Sequence, residues 1–328
     1  MSSNDPLASP TPRPPGETGA AAHRPVERST PLAFDATRGA VPRADAPRLS
    51  HARTVLLRQI EIVDHNGDRR TIEIPIERPL TIYVDKRELI TLMTLGAAPE
   101  LLALGYLLNQ GLITAAGDVE SIDVDWEVQA AAVKTRRGRV DIAGKTAHRI
   151  VTTGCGQGTV FGATMAELES VRLPSAEHAR IDRSTLARIL ELSRERWSIH
   201  RQAGSVHGCA LFRRTESMVF TEDVGRHNAL DTIAGWMAVH GIEGGDKVFY
   251  TTGRLTSEMV MKAAKMGVPI IVSRNGVTAM GHELAARLGM TLFGRAGRRQ
   301  FICYSGFERF DAESDAESDA SGVVVIAG

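Results

Sequence analysis

Cys155 stands in Thr153-Gly154-Cys155-Gly156-Gln157-Gly158, where three glycines within five positions leave the backbone open to positive φ and to close approach. A thiol in such a loop can be reached by another molecule. The loop alone is compatible with a reactive nucleophile and with a glycine-rich turn that merely contains a cysteine. Cys209 in Gly-Cys-Ala-Leu-Phe and Cys303 in Phe-Ile-Cys-Tyr have apolar neighbours and read as core thiols. Glu222-Asp223-Val224-Gly225-Arg226-His227-Asn228 precedes an amphipathic helix expected to begin near Ala229. Backbone N–H groups at a helix N-terminus attract anions; Arg226 and His227 add charge-assisted donors, and Asp223 or Asn228 can cap.

Thr251-Thr252-Gly253-Arg254-Leu255-Thr256-Ser257-Glu258 repeats that arrangement at the end of a predicted strand, the usual ligand position in open α/β sheets, but without the spacing of a P-loop. Ser273-Arg274-Asn275 ends the following strand in the same way. Residues 287–299 carry four positive and no negative side chains, among them Arg295 and Arg298 of Phe293-Gly294-Arg295-Ala296-Gly297-Arg298-Arg299. Arginine forks bind diphosphates bidentately, and a solvated basic loop is the ordinary alternative. Val206-His207-Gly208-Cys209 has no glutamate two residues after the histidine, and no Pro-Cys-x-x-Cys follows, so neither zinc ligands nor a zinc-activated water is expected. His207 orients a neighbour, helps to keep a thiolate charged, or is simply a satisfied, partly buried histidine.

The elements that must position these groups fall into two patterns. Residues 55–63 are rich in β-branched side chains and end at Asn66-Gly67, after which Ile72, Ile74 and Ile76 alternate with polar neighbours, predicting a hairpin. Strands over 80–84 and 89–93, a helix opened by Pro99, and alternating segments at 122–126, 128–133 and 139–142 complete a small β-rich α+β domain spanning 53–150. From 151 to 310 the pattern changes. Asp182 or Ser184 caps a helix carrying Leu186, Ile189, Leu190 and Trp197; a strand covers 208–212; and from Lys247 strand and helix alternate through 248–252, 257–266, 269–273, 278–288 and 290–293. This tempo predicts an α/β layered sheet.

The 328 residues suffice for two domains, and 39 basic against 39 acidic residues leave no global field to hold nucleic acid or an anionic membrane. Any anion site must be local. Three cysteines make no disulfide framework and no four-ligand zinc pattern. No window of about 18 apolar residues predicts a membrane span, no signal peptide is evident, and a cytoplasmic location is expected. Nine of fourteen prolines fall in residues 1–52, which are expected to be disordered, as is the acidic tail 311–328 with its DAESDAESD run.

In order along the chain, Glu77-Arg78-Pro79-Leu80-Thr81-Ile82-Tyr83-Val84, the helix ending Asn-Gln-Gly-Leu-Ile, the glycine-rich cysteine loop, Val206-His207, residues 222–228, Thr252-Gly253-Arg254 with Ser257-Glu258-Met259-Val260, Ser273-Arg274 and residues 293–298 resemble the FdhD/NarQ family of formate dehydrogenase accessory proteins. The resemblance spans roughly residues 55–309. It implies a cytidine deaminase-like C-terminal domain lacking the zinc site, and a homodimer. It further implies a sulfur carrier that accepts a persulfide from a cysteine desulfurase and hands sulfur to the molybdenum (or tungsten) bis(pterin guanine dinucleotide) cofactor, before that cofactor enters the formate dehydrogenase catalytic subunit. By position, Cys155 would bear the persulfide, and Phe293, Gly294, Arg295, Ala296, Gly297 and Arg298 would contact the cofactor. Arg226, His227 and Arg254 are also expected to bind the cofactor, whose phosphates would meet the helix N-termini after Gly225 and Gly253 and Arg254, Arg295 and Arg298. Hydrolase activity is not expected. Many relatives carry Cys-x-x-Cys in this loop, but here the second position is Gly158. Cys155 must therefore act alone, or the chain escorts the cofactor without sulfuration.

Overall fold

The computed structural model describes residues 33–36, 40–136, 171–196, 198–297 and 300–313, with the backbone of 150–151 and 158–159. The chain runs β1 (Phe34–Ala36), β2 (Arg48–Leu49), β3 (Leu57–Val63), β4 (Arg69–Pro75), β5 (Arg78–Val84), β6 (Arg87–Thr94), α1 (Pro99–Asn109), β7 (Val119–Asp125) and β8 (Ala130–Thr135). Three short strands follow, β9 (Ile150–Val151), β10 (Gly158–Thr159) and β11 (Ile181–Asp182), then α2 (Arg183–Glu195) and α3 (Ile199–Ala203). The remainder is β12 (His207–Arg213), β13 (Glu216–Asp223), α4 (Arg226–His240), β14 (Lys247–Thr251), α5 (Ser257–Lys265), β15 (Ile270–Ser273), α6 (Ala279–Arg287), β16 (Thr291–Gly294), β17 (Ile302–Ser305) and β18 (Phe310–Asp311).

The expected hairpin is β3 and β4, paired antiparallel from Leu57↔Pro75 to Val63↔Arg69. Its turn is held by Asp64, whose Oδ1 accepts from the N–H groups of Asn66 (2.9 Å) and Asp68 (3.2 Å). A five-stranded sheet has the order β2-β7-β8-β5-β6, and a seven-stranded sheet the order β1-β13-β12-β14-β15-β16-β17. The alternation of strand and helix from Lys247 predicts the α/β layering of the second, and its crossover helices make β14, β15 and β16 parallel. Asp182 caps α2 by accepting from Thr185 N at 2.6 Å, while Ser184 instead donates to Asp182. Trp197 and residues 139–142 lie outside the described residues, and the expected boundary near 150 falls beside them.

Two expectations are corrected. Residues 34–36 and 48–52, assigned to a disordered segment, are described and ordered: Phe34–Ala36 pairs antiparallel with β13, and Arg48–Leu49 pairs parallel with β7. Composition misses this because an open sheet edge needs a partner's backbone groups rather than its apolar side chains. The helix expected to begin near Ala229 begins at Arg226, and Glu222 and Asp223 belong to a strand, β13, that was not anticipated. Only Met218, Val219 and Phe220 form its apolar run, and its buried polar end reads as loop until its partners are seen.

α1 is buried along almost its whole length between the smaller sheet and α4, which is why leucines surround it rather than marking one stripe. Glycines at the crossing allow the approach. A Cβ on Gly105 would lie 1.7 Å from Asp231 O, and one on Gly235 would lie 2.0 Å from Leu101 O. The backbones thus touch, and the two sheets share one apolar core. Beside this crossing Asp231 accepts from Asn109 Nδ2 (2.7 Å) and Lys262 Nζ (2.7 Å); Lys262 is also 3.6 Å from Glu258, whose other oxygen is 3.5 Å from His227 Nε2. All five side chains are buried. Paired in this way, buried charges tie α1, α4 and α5 together.

Candidate functional site

The carboxyl ends of β14, β15 and β16 are stitched side by side. Arg274 N donates to Thr251 O (3.1 Å), Asn275 Nδ2 to Thr252 O (2.7 Å), Ser273 Oγ to Gly253 O (2.6 Å), Ala296 N to Ser273 O (3.0 Å) and Arg295 N to Asn275 O (2.9 Å). Each strand therefore delivers an exposed arginine, Arg254, Arg274 or Arg295, to the same edge. β12 starts there, with His207 opposite Asp223, and α4 follows from Asp223 through Gly225. Gly253 is placed against Arg226: a Cβ would lie 2.8 Å from Arg226 Cδ, so a larger residue would displace the arginine stem. The N-termini of α4 and α5, like that of α1, have no side-chain cap, whereas α2, α3 and α6 are capped by Asp182, Ser198 and Thr278. Uncapped helix starts beside arginines suit a polyanion.

Electrostatics record the same convergence. Burial, and then the charges of Arg226, His200 and Arg254, hold the His207 pKa below its usual value. His227 is pushed down to about 2 by burial, Lys262, Arg226 and His207. Both imidazoles are neutral at pH 7, so His227 and Glu258 are neighbours without forming an ion pair. A neutral His207 does not support a thiolate by charge. Asp223 is fully buried and raised to about 6 because burial outweighs its donors. Those donors are Gly225 N (2.9 Å), Asn228 Nδ2 (2.9 Å), Leu95 N (3.1 Å) and the Thr94 hydroxyl. Asn228 also donates to Met93 O at 2.8 Å, so the strand carrying Asp223 is clasped to the end of β6. The capping role expected of Asn228 is absent; it braces this clasp.

On the other side of the arginine row two cavities of about 470 and 460 Å³ adjoin and share Arg194, Tyr250 and Arg274. α2 forms one wall, Tyr250 and Phe220 part of the floor, and Ala296 and Gly297 part of the far lip. Tyr250, bonded to Arg274, has its hydroxyl pKa raised to about 12 by burial. Glu222 lies at this end but is spent on Ile199 N (2.7 Å) and His200 N (2.9 Å), anchoring α3.

Of the residues singled out in the sequence, Arg226, His227, Arg254, Arg295, Ala296 and Gly297 lie on the elements that meet at this edge. Phe293 is fully buried, packed edge-on against Phe301 and Phe310, and supports the loop from beneath; Gly294 is buried beside it. Arg298 and Cys155 lie outside the described residues, although the flanks of the Cys155 loop, Val151 and Gly158, are antiparallel partners. Cys209 and Cys303 are buried thiols raised to about 12 and 11 by desolvation. The sequence reading missed Arg194, Tyr250 and the Asp231–Lys262–Glu258 cluster. The only signal for Arg194 was its place on the polar face of an amphipathic helix; in the cluster the i,i+4 spacing of Glu258 and Lys262 was local, but Asp231, 31 residues from Lys262, gave none. Among the described residues no group of His, Cys, Asp and Glu is arranged to hold a metal ion, and no helix is long and apolar enough to cross a membrane.

Comparison with known proteins gives a consistent result. The model of the FdhD/NarQ family matches residues 75–311. The sulfur carrier protein FdhD of Listeria innocua is 31% identical over 71% of this chain and 89% of its own length. That of Geobacillus kaustophilus is 30% identical over 71% and 88%. A crystal structure described as a formate dehydrogenase accessory protein from Desulfotalea psychrophila superposes with a TM-score of 0.62 at 26% identity, covering 78% of this chain and 98% of that one.

Proposed function

The chain belongs to the FdhD/NarQ family, and from that premise we propose that it is a sulfur carrier for a formate dehydrogenase. Cys155 takes a persulfide sulfur from a cysteine desulfurase and passes it to the molybdenum (or tungsten) bis(pterin guanine dinucleotide), its substrate, before that cofactor is inserted into the dehydrogenase. The names of the relatives support the carrier role. One observation carries the reading for this chain: exposed Arg254 and Arg295 lie at one sheet edge with two uncapped helix N-termini and the buried Arg226, an arrangement that suits the diphosphates of a dinucleotide.

In the first step the Cys155 thiolate attacks the terminal sulfur of the donor's persulfide. The donor S–S bond breaks, its thiolate leaves, and the proton lost by Cys155 balances the one the leaving thiolate takes up. In the second step a reduced metal in the substrate supplies two electrons, takes the sulfur as sulfide, and returns Cys155 as thiolate. One sulfur on the carrier suffices for both steps, so Gly158 in place of a second cysteine removes a competing disulfide without blocking the chemistry. We read the seven-stranded layer as a cytidine deaminase-like scaffold without its zinc site, preceded by a smaller N-terminal domain, and the working protein as a homodimer.

Gly158 is also the observation that favours a second reading, in which the chain escorts the cofactor without sulfuration. Intact-mass and peptide mass spectrometry after incubation with a cysteine desulfurase and cysteine tests the first reading: Cys155 gains one sulfur, and Cys155→Ala abolishes activation of the dehydrogenase. Full activation by Cys155→Ala would establish the escort and refute the carrier.

A further inference from the structure

Away from the arginine row, a cavity of about 560 Å³ lies beneath residues 40–49. The segment that covers it is anchored at both ends. Phe34–Ala36 is pinned to β13 of the larger sheet and Arg48–Leu49 to β7 of the smaller one, and between them Arg43 N donates to Val239 O at 2.8 Å. Residues 40–49 thus bridge the start of α1 and the end of α4 and leave a chamber underneath. Its volume is within the range of about 300–1,000 Å³ usual for small-molecule sites. The family match begins at residue 75, so the wall that residues 34–53 contribute lies outside it. Trp236 and His240, on the other wall, follow Arg226 on α4 by about 15 and 21 Å of helix rise, which separates this chamber from the sheet edge described above.

The lining is divided by polarity. Phe34, Ala36, Leu49, Leu101, Trp236 and Val239 give an apolar interior, and the His240 ring is tilted against that of Trp236 with 4.9 Å between centroids. Arg48, His51 and Arg53 are exposed residues of the rim. Among the described lining residues the one carboxylate is Glu100, which is buried and accepts from Ser50 Oγ (2.5 Å) and Ala52 N (2.6 Å). These bonds grip the chain on either side of His51, which is held at φ 57°, in the left-handed region. Neighbours that fix a histidine in so sparsely populated a conformation direct attention to what it adjoins. Asp35, on β1, is paired with Arg196 at 2.7 Å, and Asp123 lies 3.6 Å from Arg48, so Arg53 is the stronger anchor of the rim. We propose that this chamber binds a small carboxylate with an apolar body, its hydrocarbon against Trp236 and Leu101 and its carboxylate at Arg53 and Arg48. Burial of the hydrocarbon supplies affinity, and the arginine forks select an anion over a neutral compound of the same shape.

The experiment is calorimetry on the full chain with three probes: 2-naphthoate, decanoate and the uncharged 2-naphthalenemethanol. Binding of either carboxylate by the wild type is expected, the tighter of the two giving the shape of the body, planar or linear. A variant carrying Arg48→Gln and Arg53→Gln is expected to bind that carboxylate about tenfold more weakly at low salt, with the difference gone at about 1 M salt and naphthalenemethanol unaffected. Ala40→Trp, which sets an indole in the chamber, is expected to abolish binding while circular dichroism matches the wild type. If the wild type binds neither carboxylate, the inference is overturned. Equal carboxylate affinities for wild type and the arginine variant, or naphthalenemethanol binding as tightly as naphthoate, overturn the role of the rim and the inference with it. Undiminished binding by folded Ala40→Trp puts the ligand elsewhere and overturns it too.

Discussion

Replacing Gly235 by alanine tests the backbone contact that sets the position of α4 and hence of Arg226. Ordinarily Gly→Ala inside a helix stabilises by up to about 1 kcal/mol. Here the new Cβ would stand 2.0 Å from Leu101 O and 2.8 Å from its carbonyl carbon, and both are backbone atoms with no rotamer to give way. Restoring an ordinary contact near 3.4 Å requires the helices to part by about 1.4 Å. Such overpacking costs roughly 1–3 kcal/mol. The same movement lengthens the 2.7 Å bond from Asn109 to Asp231 beyond hydrogen-bonding range, losing about 1.5–3 kcal/mol for a charged, buried acceptor. The penalties exceed the propensity gain, leaving a net loss of about 2–5 kcal/mol. With m near 3 kcal/mol/M, the urea midpoint falls by about 1 M. Gly276→Ala is the control, since a Cβ there meets nothing within 4 Å. Circular dichroism and tryptophan fluorescence should report the same transition, because Trp236 adjoins the substituted residue in α4. A Gly235→Ala variant as stable as wild type, or more so, would refute the close crossing.

Arg254→Ala and Arg295→Ala should each weaken GDP binding about fivefold, the reduced worth of an exposed charge; calorimetric affinities equal to wild type would exclude these arginines from the site. Asp223 has its pKa raised from 3.8 to about 6, so the native state binds more protons than the unfolded state within that window. Stability should therefore drop by up to about 3 kcal/mol as pH rises through it and level off above pH 6. Asp223→Asn should lack that slope in urea unfolding at pH 4, 5, 6 and 7, and an unchanged slope would assign the titration elsewhere. His227 should remain neutral in NMR titrations down to pH 4, its ring held at about 2 by burial and neighbouring cations; a midpoint near 6.5 would contradict the buried cluster. Iodoacetamide should modify native protein at Cys155 and spare Cys209 and Cys303, whose pKa values lie near 12 and 11. Labelling of Cys209 before unfolding would show that its burial is wrong.

The sequence by itself determined the elements whose cause is local. Asn66-Gly67 specified a turn, Pro99 a helix start, Asp182 or Ser184 a cap, and the alternation from Lys247 an α/β layer, because each depends on residues within a few positions of one another. The placing of the loops at 252–254 and 293–297 at strand ends was legible for the same reason: strand ends and their turn residues are consecutive in the chain. Contacts between distant segments were decided only by the tertiary structure. Nothing near Phe34 announces that it will complete a sheet edge beside Thr221, and the polar string from Glu222 read as loop because the donors that make its burial tolerable come from Met93, Thr94 and Leu95 on another sheet. Gly105 and Gly235 likewise gain their meaning only when two helix backbones meet. Types and spacings along the chain specify torsions and nearby bonds; which buried charge finds which partner depends on packing that brings residues more than a hundred positions apart into contact.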